Sequence, residues 1–268
     1  MAKFRGKSII LILIIILNMC FSYNFASGLP IFRNKDKENK IRYNEKVYPK
    51  AVYLTFDDGP SINNTKKIVQ ILKENNVRGT FFIIGALADE NSEVFQELYK
   101  NNMCIAVHTY SHDYKEIYKS PESYMEDLKK CNDVIRRSIK KEPVSYIRIP
   151  GGAYNKVSNG NTMKKIREML KEENINYVGW NICSNDALGK NVPAYKIKNN
   201  VIKQSKKISE KSKILVVLMH DSYYKKTTVE ALPDIIKYYK DEGYVFKTFD
   251  EIIASEYEEL VKSKIVNK

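Results

Sequence analysis

Two carboxylates, Asp57 and Asp58, stand side by side where the apolar run 51–56 ends, and Gly59-Pro60 follows at once. The run favours a strand and Gly-Pro stops it, so both acids fall at a strand's C-terminal end. In α/β folds such ends carry sites, because the strand holds the backbone rigid while the loop leaves side chains accessible. The same residues would also suit an ordinary Asp-rich turn. The histidines tip the balance. The chain has three: His108 and His112 close the apolar run 103–107, and His220 closes 214–219. One aspartate and two histidines form a recurrent ligand set for a divalent transition metal that keeps positions open for water and substrate. At i and i+4, His108 and His112 can face one point from a helical turn or a tight loop. A second carboxylate could take a proton from water whose pKa the metal lowers, and a further histidine could protonate a leaving group.

These groups need a frame that brings distant strand ends together. Residues 63–75 place Ile68, Val69, Ile71 and Leu72 at helical spacing. Further helices are predicted over 92–100, 121–141, 163–173, 194–208 and 229–241, and a last one from 250. Ser120 is the N-cap before Pro121, and Pro233 falls in a first turn. Strand patterns cover 80–84, 103–107, 146–149 running into Pro150-Gly151-Gly152, 175–182, 214–219 and 244–246. Strand and helix alternate about seven times, which argues for parallel strands with helices outside, as a barrel or an open sheet.

Composition sets the bounds. With 268 residues, 43% of them hydrophobic, the chain can build a sizeable core. The formal charge is +13, of which Lys3, Arg5 and Lys7 contribute three before residue 28. A basic body favours polyanionic partners such as an anionic wall polymer. The lysines are spread along the chain, which reads as a solvated basic face and not as a nucleic-acid patch. Cys20, Cys104, Cys131 and Cys183 show no CxxC spacing and define no disulfide framework. The N-terminus has a basic start, an apolar run over 9–17 and small residues at Ala26 and Gly28. This is the layout of an export signal cleaved before Leu29. Nine helical residues span about 14 Å against a hydrocarbon core of roughly 30 Å. Extension through Phe21 keeps an uncleaved membrane anchor open. Met19 argues against lipoprotein processing at Cys20. Residues 29–49 read as a charged linker and 50–268 as the folded domain.

Taken in order, Thr55-Phe56-Asp57-Asp58-Gly59-Pro60, His108-Thr109-Tyr110-Ser111-His112, Arg148-Ile149-Pro150-Gly151-Gly152, Trp180 through Asp186 and Leu218-Met219-His220 resemble the motifs of the NodB-type polysaccharide deacetylases, carbohydrate esterase family four. The resemblance spans about residues 50 to 250, and its first two motifs are the specific ones. It implies a distorted (β/α)7-type barrel, the NodB homology domain, and a hydrolase that removes N-acetyl groups from a glycan. It also implies a metal, usually zinc with cobalt or manganese as alternatives, held by Asp58, His108 and His112. Asp57 would be the general base and Arg148 its orienting partner. The N–H of Gly151 would meet the oxyanion, His220 would be the general acid supported by Asp186, and Leu218 would line the acetyl pocket.

Without the motifs Arg148 reads as a surface ion-pair partner, Asp186 as a turn residue, and Leu218 and Trp180 as core. Three positions depart from the family. Gly151 stands where an aromatic residue is frequent, Ala187 where a tryptophan follows the aspartate, and Cys183 where an acid precedes Asp186 by three residues. These departures bear on the sugar groove more than on the chemistry. The expected protein is an exported monomer, secreted or anchored at the outer face of the cytoplasmic membrane. It acts on cell-wall polysaccharide, with N-acetylglucosamine of peptidoglycan favoured over chitin oligomers or another exopolysaccharide. A non-catalytic wall-binding domain is the rival from another class. A glycoside hydrolase fits poorly, because adjacent carboxylates on one strand do not straddle a sugar at the roughly 5–9.5 Å such enzymes use.

Overall fold

The computed structural model describes residues 49–267. The segment 1–28 and all but the last residue of the linker 29–49 lie outside the described residues. In chain order the elements are β1 (Ala51–Gly59), α1 (Asn64–Glu74), β2 (Thr80–Ile84), α2 (Gly85–Glu90), α3 (Ser92–Lys100), β3 (Cys104–Thr109), α4 (Tyr114–Ile117), α5 (Pro121–Ile139), β4 (Tyr146–Ile147), α6 (Gly160–Glu172), β5 (Asn176–Tyr177), β6 (Ile182–Cys183), a 3-10 turn at Asp186–Leu188, α7 (Ala194–Ser209), β7 (Ile214–His220), α8 (Lys226–Asp241), β8 (Val245–Lys247) and α9 (Ala254–Lys262). Among the described residues no helix is long and apolar enough to cross a membrane.

The strands form one parallel sheet in the order β5-β4-β3-β2-β1-β7-β6, with β8 pairing β1 at its N-terminal half. It curls into a barrel that stays open between β5 and β6. Strand alternation sorts the core into two parts. Val52, Leu54 and Phe56 face outward with Leu215, Val217 and Met219, against α1, α5, α7 and α8. Ala51 and Tyr53 face inward, with Phe82, Ala106, Val216 and Phe249.

Helices with strong apolar stripes appear where the sequence places them, and α3 has the expected limits. The Ser120 hydroxyl accepts the N–H of Ser123 at 3.1 Å and opens α5 at Pro121. Three readings need correction. Residues 175–182 are not one strand but two short ones, on opposite edges of the sheet, because the chain crosses the barrel's open seam there. Pro233 sits within α8 and not in its first turn, since that helix begins at Lys226. The last helix starts at Ala254, after a turn in which the Thr248 hydroxyl and N–H are bound by Asp250 and Glu251.

Candidate active site

The C-terminal ends of β1, β3, β4 and β7 converge on one centre. Asp57 faces the barrel interior, as Tyr53 and Thr55 do, by the period of a strand. A regular strand would send Asp58 the other way. Instead the ladder to β2 skips it: Asp57 pairs with Phe82 and Gly59 with Ile83, and Asp58 is left between them at φ 73°. A bulge re-aims a side chain, and this one turns two successive carboxylates toward the same point. The ladder between β2 and β3 slips in the same way and passes over His108. His112 lies beyond β3 in a tight loop, not on a helix, with φ 54°. Asp127 of α5 ties that loop down by accepting the N–H of Tyr110 at 2.6 Å and of Ser111 at 3.2 Å.

Asp58 Oδ1 lies 3.5 Å from His108 Nε2 and 3.3 Å from His112 Nε2. One donor atom from each of the three falls within 4.8 Å of the others. The donor set fits a divalent cation. His108 Nδ1 lies 2.6 Å from the Arg148 carbonyl oxygen, which can only accept. The ring proton therefore sits on Nδ1, and Nε2 presents its lone pair toward Asp58, the arrangement that orients a ligating imidazole. Burial, helped by neighbouring His108, lowers the pKa of His112 and keeps that ring neutral, as ligation requires. Burial disfavours the Asp58 carboxylate, but His108, His220 and His112 together hold its pKa below the usual range.

Asp57 is 4% exposed and Arg148 1%. Arg148 is thus no surface partner. It donates to Asp57 Oδ1 and Thr55 Oγ1, both at 2.7 Å, and to the Gly179 carbonyl at 3.2 Å, with its guanidinium over the Phe82 ring. Asp57 Oδ2 is left facing the trio, 4.0 Å from His108 Nε2.

His220 is the register partner of Asp57 on the neighbouring strand. Its Nδ1 lies 2.7 Å from Asp186 Oδ1, and Asp186 Oδ2 accepts the His220 N–H and the Thr228 hydroxyl, each at 2.8 Å. Burial alone would lower the pKa of His220. The Asp186 carboxylate outweighs it and raises that pKa to about 9. Leu218 lies two residues earlier on the same face, 6% exposed.

Gly151 has φ 73°. The Pro150 carbonyl before it accepts from Tyr118 Oη at 2.5 Å and Asn155 Nδ2 at 3.1 Å. A planar peptide held at its oxygen also fixes its N–H. The Gly151 N–H has no acceptor among the described residues.

Residues 44–168 match the family model for polysaccharide deacetylase. A peptidoglycan-N-acetylglucosamine deacetylase of Bacillus cereus is 30% identical over 220 residues, covering 81% of this chain and 75% of that protein. The chain belongs to the polysaccharide deacetylase family. The catalytic domain of a peptidoglycan N-acetylglucosamine deacetylase from Eubacterium rectale superposes with a TM-score of 0.69 at 30% identity, over 78% of this chain and 91% of that one. A peptidoglycan-N-acetylmuramic acid deacetylase of Bacillus subtilis is 26% identical over 204 residues, 76% of this chain and 72% of it.

In this polysaccharide deacetylase the structure brings all seven charged or ionisable residues singled out in the sequence into one cluster, with Gly151 and Leu218 on its border. Ala187 and Gly151 are exposed, and Cys183 is half-buried. Sequence reasoning gave Thr55 no role of its own and missed Tyr118, Asp127, Asn155, Thr228 and Asp221. Asp221 follows His220 directly. Its N–H donates to the Asp57 carbonyl at 3.0 Å, and its Oδ2 accepts from Thr65 Oγ1 at 2.5 Å. Full burial raises its pKa to about 7. A β-carbon on Gly59 would collide with that carboxylate, which is why the Asp57-Asp58 turn needs glycine there.

Proposed function

We propose that this polysaccharide deacetylase removes the N-acetyl group of N-acetylglucosamine in peptidoglycan, with zinc as its metal. The observation that carries the reaction is the meeting of three units at one barrel mouth: Asp57 with Arg148, Asp58 with His108 and His112, and His220 with Asp186. The substrate reading is supported by the Bacillus cereus and Eubacterium rectale relatives, whose names specify that sugar. Zinc suits two imidazoles and a carboxylate; cobalt and manganese accept the same donors.

Asp58, His108 and His112 would hold the metal, which when bound would polarise the acetyl carbonyl and lower the pKa of water. Asp57 Oδ2 takes a proton from the attacking water, while Arg148 keeps Oδ1 and so fixes which oxygen is presented. The water oxygen bonds to the acyl carbon, and the charge gained by the carbonyl oxygen meets the Gly151 N–H. His220, bound through Nδ1 to Asp186, gives the proton on Nε2 to the amide nitrogen as the C–N bond breaks. Acetate and a free sugar amine result. Leu218 offers the acetyl methyl group an apolar wall.

Residues 1–28 act as an export signal or anchor, 29–49 as a linker and 50–268 as a monomeric catalytic domain outside the cytoplasmic membrane, where its +13 charge suits an anionic wall. The test is acetate release by the full-length protein from peptidoglycan and from N-acetylglucosamine oligomers, after chelation and with zinc, cobalt or manganese restored. Metal-restored acetate from peptidoglycan without chain shortening is expected. Acetate from the oligomers alone would move the substrate to chitin-like glycans. None from either, with metal bound, would leave a wall-binding domain. Asp58→Ala and His108→Ala should lose both metal and acetate release.

A further inference from the structure

Beside the reaction centre lies a cavity of about 340 Å³, whose lining includes Gly151, Gly152, Tyr154, Trp180 and Lys264. It opens at the seam of the barrel. There the Gly179 N–H donates to the Ile265 carbonyl at 2.7 Å, and Val178 pairs with Val266, so a late segment of the chain forms one wall. Two glycines make the space. Gly151 and Gly152 have φ of +73° and +89°, and a β-carbon on Gly152 would lie 3.3 Å from Trp180 Cη2. Trp180 is half-buried and backs the cavity, where the sequence favoured core. Gly151 joins the cavity to the centre: its β-carbon would lie 3.3 Å from Tyr114 Oη, and the Tyr114 ring is 5.3 Å from that of His112. A molecule in the cavity is therefore one residue away from the acetyl site.

The walls specify what fits. Aromatic surface with a few polar groups suits the apolar face and polar rim of a pyranose ring. Tyr154 flanks the space with Arg167 stacked on its ring at 4.2 Å. Lys264 is the one charged residue in the lining. It is exposed and, among the described residues, has no carboxylate partner. An exposed lysine without a carboxylate partner, on the lining of a sugar-sized cavity, favours an anion there. A second N-acetylglucosamine has none, whereas N-acetylmuramic acid carries a lactyl arm ending in a carboxylate or an acidic stem peptide. We propose that this cavity is the subsite for an N-acetylmuramic acid adjoining the sugar that is deacetylated, its ring against Trp180 and its acidic arm at Lys264. The proposal rests on the peptidoglycan reading and adds to it a charge requirement and a direction for the glycan.

Trp180 is the only tryptophan in the chain, so its fluorescence reports the cavity without turnover. The full-length protein, Lys264→Ala and Lys264→Glu are each titrated with the N-acetylglucosamine–N-acetylmuramic acid disaccharide and with diacetylchitobiose. The muramic disaccharide should change Trp180 emission and bind Lys264→Glu about tenfold more weakly, with Lys264→Ala between. Chitobiose affinity should differ by less than about twofold across the three proteins. No change in emission, or an equal loss for both ligands, overturns the subsite. Acetate release measured on the same wild-type preparation separates the two failures. If peptidoglycan yields acetate while the Lys264 variants bind like wild type, only the subsite falls; if it yields none, the substrate reading falls first.

Discussion

His220 is held in its charged form by one neighbour. Burial pushes its pKa down, and the bond to Asp186 more than reverses this, to about 9. Asp58 and Asp57 add to the rise, but a cation held by Asp58 opposes their share and leaves Asp186 as the partner that counts. A general acid must carry its proton, so acetate release should fall as pH rises through about 9. The sign for stability is the same. A raised folded pKa contributes fully below the unfolded value near 6.5 and is lost as pH passes 9. Asp186→Asn should lower kcat/KM by about 10²–10³-fold and move the alkaline limb to lower pH, since burial then acts unopposed. A pH–rate profile of the variant with an unmoved limb would exclude His220 as the acid. At this scale the sequence was legible where chemistry ends an apolar run, as for Asp57, Asp58, His108, His112 and His220. Thr55 and Thr228 were not, because a hydroxyl that serves Arg148 or Asp186 from another strand or helix leaves no local pattern.

The elements do more than carry these residues; their irregularities aim them. Asp58 and His112 both take left-handed backbone, which costs about 1–3 kcal/mol each away from glycine. Periodicity placed the strands that lead to them, but a regular ladder would have separated Asp57 from Asp58. Register slips are invisible in sequence because they depend on the neighbouring strand. The loop bearing His112 is held by Asp127, whose carboxylate takes two loop N–H groups from α5. Asp127→Ala frees that loop without touching the centre. Metal affinity should drop about 10–100-fold, in the range seen when supporting groups are removed. Asp127→Asn, which keeps one acceptor oxygen, should recover much of it. Competition with a chromogenic chelator would measure both, and unchanged affinity in Asp127→Ala would show that the loop holds its shape unaided.

Over the whole molecule, the open seam between β5 and β6 is the feature that decides how the mouth is built. An apolar run such as 175–182 reads as one strand, because pattern alone cannot show that the sheet ends within it. The last part of the chain compensates for the gap. Leu260, Ile265 and Val266 are buried in the inner core with Tyr53, Phe82 and Val216, and the Ile265 and Val266 N–H groups both donate to the Leu260 carbonyl. The same segment carries Lys264 to the cavity, so closure of the seam and shape of the mouth are linked. Leu260 has no solvent exposure, and Leu260→Ala leaves a cavity that should cost about 2–5 kcal/mol. For a domain of this size that lowers the melting temperature by roughly 5–15 °C. Leu188→Ala, at a side chain 81% exposed, should shift it by no more than about 2 °C. Circular dichroism melts of the two variants test this. Similar melting temperatures would mean that the late segment rests on a barrel stable without it, whereas a selective loss in Leu260→Ala, with a weaker Trp180 response to the muramic disaccharide, would tie stability and mouth geometry to one packed seam.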